Sequence, residues 1–324
     1  MINVVVGVGQ VGSRHLQAIL KHSVKQKIYV VDTNEESIEV AKKRVAEINH
    51  SHEIIYLSTY DDLPKTIDLL IISTNSKYRD VITIDLLNRC KIRYIIFEKI
   101  LFQSLESYQK VENKLKENGV KAWVNHPRRI MGLYKNLKKT ISGKDLNGTI
   151  FSMMGGNWGL ACNSLHFIDL CSYLFDADVK YISTEVLEKK VIKSKRDGYI
   201  EFSGTLVIIF ENNIKCILTS NHEINQSSII DITIQNYKWI INELEKPYII
   251  NINNKTGEIL NTDYYSVEYQ SDLGTKVLDE IIKTSTCSLT PFEISTRHHK
   301  MFIKSLLDFK NHILNENFKE LNIT

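Results

Sequence analysis

The chain has 324 residues, of which 43% are hydrophobic and 24% are charged, and its formal net charge is +3. This length favours two domains, and the near balance of charges gives no reason to expect a nucleic acid or a membrane surface as partner. The five cysteines form no Cys-x-x-Cys pair, which argues against disulfides and a zinc site and favours a reducing compartment. Because the first residues enter a strand-like run and no apolar run approaches about 18 residues, we expect a cytoplasmic protein with no signal peptide and no membrane span.

The first 125 residues alternate short apolar runs with amphipathic stretches. We predict strands over residues 2–8, 27–32, 54–57, 68–74, 93–99 and 120–125. We predict one helix that ends at Leu20 and others over residues 34–48, 78–90 and 104–119. Strands that are apolar on both faces and alternate with helices are typical of an α/β domain with a doubly wound parallel sheet, which we predict over residues 1–124.

The pattern changes in residues 125–324, where strands follow one another without helices between them. We predict a glycine-rich strand within 149–160 and further strands over 179–187, 204–211, 214–221, 229–236 and 239–244. We predict helices over residues 129–142, 164–175 and 292–309. Successive strands favour an open, mostly antiparallel sheet, so this second domain is predicted to be α+β.

A glycine motif lies between the first predicted strand and helix, in the segment NVVVGVGQVGSRHL (3–16). Gly7 would permit a tight turn, Gly9 would let the backbone approach a pyrophosphate, and Gly12 would let the helix pack against the strand. Gln10 and Val11 complete this loop. The N-terminus of the following helix would offer N–H groups to the phosphates.

Asp32 ends the second predicted strand, 20 residues after Gly12. A carboxylate at that place accepts hydrogen bonds from ribose hydroxyls and repels a 2′-phosphate, so NAD is favoured as the cofactor and NADP is disfavoured. The alternative is a glycine turn with a helix-capping aspartate.

Two loops leave the carboxyl ends of predicted strands, where ligands of open α/β sheets bind. The first carries Ser73, Thr74 and Asn75, and the second carries Glu98 and Lys99. We expect both loops to face the cofactor, and Lys99 to hold or protonate a reacting oxygen. The alternative for Lys99 is a solvated surface lysine.

The segment GGNWGLACNSLHFIDL (155–170) carries a histidine near a predicted helix start. If Asn163 or Ser164 caps the helix, His166 lies in its first turn, where the helix dipole disfavours imidazolium and leaves a neutral base. Cys162 and Asn163 would then lie on the same face as His166. A core histidine is an equal alternative, and Asp169 is expected to be an ordinary polar position.

The segment NHPRRI (125–130) lies at the expected domain junction and carries Asn125, Arg128 and Arg129. Clustered arginines can bind a carboxylate or phosphate of a substrate. An interdomain salt bridge is the alternative, expected for one of the two. His298 and His299 lie on the last predicted helix without metal-spaced partners, so we assign them to packing and predict no metal site.

In combination these motifs resemble the Gfo/Idh/MocA family of oxidoreductases (glucose–fructose oxidoreductase, inositol dehydrogenase and rhizopine catabolism). The resemblance rests on the glycine motif with SRHL, the Glu-Lys pair after the fifth strand, NHPRR, and the glycine-rich strand leading into NSLHFIDL. It implies an N-terminal Rossmann domain and a C-terminal sheet that mediates dimers or tetramers. It also implies hydride transfer between a nicotinamide and a sugar or cyclitol hydroxyl, with Lys99 as the active-site lysine and His166 as the proton-transferring histidine.

The chain departs from the family pattern at two positions. Ile100 replaces the proline that usually follows the lysine, so we expect a trans peptide bond there. Cys162 replaces the aspartate that usually lies four residues before the histidine, and a cysteine has neither the charge nor the acceptor strength of a carboxylate.

We predict a cytoplasmic, homo-oligomeric, NAD-dependent oxidoreductase of a sugar or sugar derivative, such as a nucleotide-linked or acidic sugar of surface-polysaccharide biosynthesis. The alternatives are a non-catalytic NAD-binding sugar sensor and an NAD-dependent glycosidase of the same fold. The predicted substrate-binding residues are Asn125, Arg128, Arg129, Trp158, Cys162, Asn163 and His166.

Overall fold

A computed structural model describes residues 1–244 and 246–324 of the chain. It contains two compact units, each with its own sheet. The first unit comprises Met1–Pro127, Glu268–Arg297 and Thr324, and the second comprises Arg128–Val267 and His298–Ile323. The sequence patterns predicted a single division after residue 124, whereas a later segment of the chain belongs to the first unit.

The first unit is built on a seven-stranded sheet with the strand order β17-β6-β5-β4-β1-β2-β3. Its strands, numbered along the whole chain, are β1 (Ile2–Val6), β2 (Lys27–Val31), β3 (Glu53–Leu57), β4 (Thr66–Ile72), β5 (Lys91–Phe97), β6 (Lys121–Val124) and β17 (Thr290–Pro291). β1 to β6 are parallel, and only β17 runs antiparallel to its neighbour. The predicted doubly wound parallel sheet is therefore confirmed, with the strand order of a Rossmann domain.

The helices of the first unit follow the predicted alternation, with one addition. They are α1 (Gly12–Leu20), α2 (Glu35–Ala46), α3 (Ser76–Arg89), α4 (Leu105–Glu117) and α7 (Gln270–Thr284). We did not predict α7, which packs closely on α1, since a Cβ added to Gly274 would lie 2.6 Å from the Cβ of Ala18. Thr275 Oγ1 donates a hydrogen bond of 2.8 Å to the Ala18 carbonyl oxygen. This contact joins residues that are more than 250 positions apart in the sequence.

The second unit is built on an eight-stranded sheet with the strand order β16-β15-β14-β13-β7-β12-β11-β8. Its strands are β7 (Ile150–Gly156), β8 (Val179–Leu187), β11 (Gly204–Phe210), β12 (Lys215–Asn221), β13 (Ile229–Ile234), β14 (Tyr237–Asn242), β15 (Tyr248–Asn253) and β16 (Ile259–Tyr264). Only β7 and β12 pair in parallel, which confirms the mostly antiparallel sheet. A small hairpin of β9 (Ile192–Lys193) and β10 (Ile200–Glu201) lies outside this sheet.

The helices of the second unit include α5 (Gly132–Ile141), which follows a short 3-10 helix (Pro127–Ile130), and α6 (Leu160–Phe175). Of these, α6 packs on β12 of the sheet, and α5 packs on α6. The last helix, α8 (Phe292–Leu314), contributes its residues from His298 onward to the second unit. Along β12 and β13 buried residues alternate with partly exposed ones, as expected of a sheet with one covered face. Strands β15 and β16 and the small hairpin were not predicted.

Within residues 1–244 and 246–324, no helix combines the length and the apolar character that crossing a bilayer requires.

Candidate active site

The glycine loop between β1 and α1 has the shape that its sequence predicts. Gly7 has a φ of +80°, and a Cβ added there would lie 2.6 Å from the Thr74 backbone nitrogen. A Cβ added to Gly12 would lie only 1.8 Å from the Gly7 carbonyl oxygen. Apart from Gly9 and its two chain neighbours, no atom of the described residues lies within 4 Å of a Cβ added to Gly9. Gly7 and Gly12 are thus required by packing inside the protein, whereas Gly9 faces open space that a ligand can fill.

Protein contacts hold the rest of this loop in place. Ser13 donates to the Gly9 carbonyl oxygen through both its backbone nitrogen (3.1 Å) and its hydroxyl (2.6 Å). The Arg44 guanidinium donates to the Gln10 carbonyl oxygen (2.7 Å) and to Gln10 Oε1 (2.5 Å). Val11 immediately precedes α1, and the positive end of the helix dipole at that terminus favours an anion.

Asp32 and the loop after β4 border the glycine loop. Asp32 Oδ2 accepts from the Val8 backbone nitrogen (2.8 Å), and Oδ1 accepts from the Asn34 backbone nitrogen (3.0 Å). Ser73 Oγ donates to the Gly7 carbonyl oxygen (2.6 Å). Asn75 lies directly before α3.

The loop after β4 also carries the hydroxyl of Thr74. Thr74 Oγ1 is buried and has no hydrogen-bond partner in the part of the chain that the structure describes. A buried hydroxyl without a partner is costly unless a ligand or water completes it. The open space at Gly9 and this hydroxyl both fit a bound dinucleotide.

Glu98, which follows β5, lies at the centre of a buried polar network in the first unit. Its Oε1 is 2.7 Å from His15 Nε2 and accepts from Asn125 Nδ2 at 2.6 Å. Burial acts to raise the pKa of Glu98, but the hydrogen bonds from His15 and Asn125 and the charge of Lys99 outweigh it, so the pKa lies below its ordinary value. Asn125 also donates to Gln270 (3.0 Å) and is 3% exposed. We predicted that Asn125 contacts the substrate. In the structure its buried side chain donates to the Glu98 carboxylate and so supports Glu98.

The peptide bond between Lys99 and Ile100 is cis, so the expectation of a trans bond is wrong. Ile100 is fully buried, and the carbonyl oxygens of Ile100 and Leu101 accept hydrogen bonds from the buried Arg79. These contacts come from α3, so the residue type after Lys99 did not indicate them.

The start of α6 differs from the prediction. The helix begins at Leu160, and the Glu201 carboxylate caps it by accepting from the backbone nitrogens of Ala161 (2.7 Å) and Cys162 (2.9 Å). Asn163 Nδ2 instead donates to the Trp158 carbonyl oxygen (2.6 Å). The predicted Asn163 or Ser164 cap is therefore wrong. His166 lies in the second turn, so the argument that the helix terminus keeps it neutral no longer applies.

The second unit contains a pocket of about 380 Å³ between α6 and the sheet. Four residues that we predicted to contact substrate line it, namely Arg128, Trp158, Asn163 and His166. Cys162 is not among the described lining residues. Trp158 is held by a hydrogen bond from its Nε1 to the Thr219 carbonyl oxygen (2.8 Å) and by edge-to-face contact with Phe167, 5.6 Å between ring centres.

Both arginines of the NHPRRI segment are paired with carboxylates of the second unit. Arg128 Nε and Nη2 donate to Glu243 at 2.8 and 2.6 Å. Arg129 Nε and Nη2 donate to Asp169 at 3.1 and 3.2 Å, and Asp169 is 1% exposed. The expectation that Asp169 is an ordinary polar position is therefore wrong, and so is the alternative of an interdomain bridge. Neither arginine offers an uncompensated charge to a substrate.

Sequence reasoning missed three residues that shape these sites: His15, Glu201 and Glu243. Their partners are 83, 39 and 115 positions away. His15 lies within the SRHL segment of the glycine motif, but that motif did not indicate Glu98 as its partner.

His298 lies 3.1 Å from Asp178 and is 2% exposed. No group of three or more His, Cys, Asp or Glu side chains in the described ranges could hold a metal ion.

Residues 2–126 match the model of an oxidoreductase family with an NAD-binding Rossmann fold, Gfo/Idh/MocA. The matched residues, fewer than half of the chain, are similar to that family. The match confirms the resemblance that the motifs indicated. No curated protein matches the chain significantly.

Solved structures of similar fold extend over nearly the whole chain. UDP-N-acetylglucosamine 3-dehydrogenase from Acidithiobacillus ferrooxidans is 13% identical with a TM-score of 0.67, over 98% of this chain and 96% of that one. Aldose–aldose oxidoreductase from Caulobacter crescentus is 12% identical with a TM-score of 0.70, over 96% and 98%. The transcriptional regulator Gal80p from Kluyveromyces lactis is 15% identical with a TM-score of 0.69, over 98% and 90%. At these identities the likeness shows a shared fold.

Proposed function

We propose that the protein is an NAD(H)-dependent oxidoreductase that transfers hydride between the nicotinamide and a hydroxyl or keto carbon of a sugar or sugar derivative. The glycine loop carries this proposal, because it excludes side chains at Gly7 and Gly12 and leaves open space beside Gly9. A loop of this kind before a helix N-terminus accepts a dinucleotide pyrophosphate. The sugar class is supported by two proteins of the same fold whose names state sugar substrates.

Asp32 is the residue on which we base the choice of NAD over NADP. Each of its carboxylate oxygens accepts one backbone N–H, which leaves further lone pairs for the ribose hydroxyls. A 2′-phosphate in the same place would meet a negative charge and two acceptors with no proton to share.

Lys99 and His166 are the residues that we propose for proton transfer. When bound, the nicotinamide supplies or accepts the hydride. Lys99 follows the carboxyl end of β5 and can donate a hydrogen bond to the oxygen on the reacting carbon. In oxidation, His166 would accept the hydroxyl proton, and in the reverse direction it would return that proton to the ketone oxygen.

A sugar-sensing, NAD-binding regulator without turnover is the second candidate. The chain shares its fold with a protein named as a transcriptional regulator. Cys162 also favours it, because its thiol has neither the charge nor the acceptor strength of a carboxylate.

The deciding experiment is a fluorescence titration with NADH and NADPH, followed by NADH oxidation with a panel of ketosugars and keto-sugar nucleotides. The proposal predicts tighter binding of NADH than of NADPH, and oxidation of NADH by at least one member of the panel. His166→Asn should lower kcat and change the pH–rate profile without weakening NADH binding. Binding without turnover would favour the regulator, and failure to bind either dinucleotide would refute both candidates.

We further propose a cytoplasmic homo-oligomer that assembles through the second sheet. Ile150, Met154 and Ile229 are 40%, 58% and 43% exposed on neighbouring strands of that sheet, and an apolar surface of this kind favours association. All five cysteines are free, which supports a reducing compartment. Light scattering on the purified protein would test the oligomeric state.

A further inference from the structure

The pocket of the second unit contains an ion pair that is already complete. Arg128 makes a two-pronged contact with Glu243, with nitrogen–oxygen distances of 2.8 and 2.6 Å. The Tyr134 hydroxyl donates to Glu243 Oε1 at 2.5 Å. The Arg128 guanidinium also lies 4.4 Å from the centre of the Phe167 ring. The guanidinium is therefore fixed in position by a carboxylate on one side and an aromatic ring on the other.

Both members of this pair are charged, so they neutralise each other. Burial acts to raise the pKa of Glu243, but Arg128 and the Tyr134 hydroxyl outweigh it and hold the pKa below its ordinary value. The side chains of Arg128 and Glu243 are 19% and 27% exposed, so water screens the pair only in part. A ligand entering the pocket therefore meets an ion pair with no net charge rather than an arginine without a counter-charge.

The remaining walls are of two kinds. Met153, Ile230 and Ile241 are buried apolar side chains that reach the pocket. Asn163 and His166 contribute polar groups to the same pocket. A sugar ring carries hydroxyls at its edge and C–H groups on its faces, and these walls match both features.

We infer that this pocket selects a neutral, polyhydroxylated ring over its carboxylate or phosphate analogues, with Glu243 as the specificity-determining residue. This inference rests on the proposed function, since it names the class of sugar that the proposed enzyme takes. An anionic group beside Arg128 would have to displace Glu243 or lie next to its negative charge. Hydroxyl groups can instead donate to the lone pairs that Glu243 has left. Where the substrate is nucleotide-linked, its diphosphate would lie outside this pocket.

Calorimetric titration of the full chain with matched neutral and acidic sugars tests the inference without turnover. The pairs are glucose with glucuronate and galactose with galacturonate, with N-acetylglucosamine and UDP-N-acetylglucosamine as further neutral-ring probes. We expect at least one neutral ring to bind, and its acidic counterpart to bind about tenfold more weakly or not at all. Equal or tighter binding of the uronates, or no binding of any neutral ring, would overturn the inference.

Glu243→Gln keeps the shape of the side chain and leaves the charge of Arg128 uncompensated. We expect it to shift the affinity ratio toward the uronates by about tenfold or more. Glu185→Gln, at an exposed position of β8, is the matched control and should keep the wild-type ratio. An unchanged ratio in a folded Glu243→Gln variant would refute the role of Glu243.

A second variant covers the case in which Glu243→Gln does not fold. The double variant Arg128→Met with Glu243→Leu removes the pair together and leaves no isolated charge. It should still reject the uronates, and a gain in uronate binding would contradict the charge argument.

Selective binding of neutral rings without NADH turnover would support the inference while refuting the proposed enzyme. Turnover confined to acidic sugars would support the proposed enzyme while refuting the inference.

Discussion

Replacing Gly9 by alanine separates ligand binding from protein stability at the glycine loop. Beyond its two chain neighbours, no atom in the described part of the chain lies within 4 Å of a Cβ added at this position, and its φ does not require glycine. The free energy of unfolding should therefore change by no more than about 0.5 kcal/mol. The new methyl group would occupy the space that we assign to the pyrophosphate. Loss of one charged hydrogen bond there corresponds to about 10- to 100-fold weaker NADH binding.

Gly12→Ala provides the contrast. Its Cβ would lie 1.8 Å from the Gly7 carbonyl oxygen and 2.5 Å from Ser73 Oγ, so the loop and α1 must move apart. We expect a loss of about 1–3 kcal/mol in the free energy of unfolding, together with loss of NADH binding. Gly198→Ala is a control in which backbone strain is added away from the glycine loop, because Gly198 has a φ of +80° and lies in open space. It should cost about 1–2 kcal/mol and leave NADH affinity unchanged.

The assay combines urea unfolding with fluorescence titration of NADH on the same protein samples. At one fixed concentration, NADH should also raise the melting temperature of the wild type and of Gly198→Ala, and raise that of Gly9→Ala by less. If Gly9→Ala binds NADH as tightly as the wild type, the space beside Gly9 does not hold the pyrophosphate. If it unfolds as readily as Gly12→Ala, the description of Gly9 as a position without packing contacts is wrong.

Four further changes test other parts of the structure. Asp32→Ala should weaken NADH binding and reduce the preference over NADPH, and an unchanged preference in titration would remove Asp32 from the cofactor site. Lys99→Ala should lower kcat by about 10²-fold or more while NADH still binds, and surviving turnover would refute the proposed chemistry. Glu201→Gln should lower the free energy of unfolding by about 1–2 kcal/mol, because the α6 N-terminus loses a charged acceptor; equal urea midpoints would contradict the cap.

The fourth change is one of pH. Since the pKa values of Glu98 and Glu243 lie below the ordinary 4.5 in the folded chain, both carboxylates stabilise the fold above that pH. The free energy of unfolding should fall as the pH drops below about 4.5 and on through the folded-state pKa values. Urea unfolding at a series of pH values measures this slope, and Glu243→Gln should reduce it.

The sequence predicted the elements whose signal is local. Each strand from β1 to β6 has four to seven residues, most of them apolar, and amphipathic stretches mark the helices between the strands. The glycine loop was also predicted, because a tight turn followed by a helix depends on residues within one short segment. α7 also carries a periodic apolar pattern, with Leu273, Val277 and Ile281 buried along it, so its signal is local as well.

The tertiary structure alone decided the side-chain partners in the two sites. Asn163 and Ser164 are typical capping residues, yet α6 is capped by Glu201, which folding brings from β10. Arg128 and Arg129 looked available to an anion, yet folding pairs them with Glu243 and Asp169.

Periodicity and backbone preference act between neighbours in the chain, so the sequence by itself determined the order of the elements in the first 125 residues, the parallel and antiparallel character of the two sheets, and the nucleotide loop. A buried charge is stable only beside an opposite charge, and that partner can come from any position in the chain. The charge of the pocket, the cap of α6 and the support of Glu98 were therefore decided only by tertiary structure.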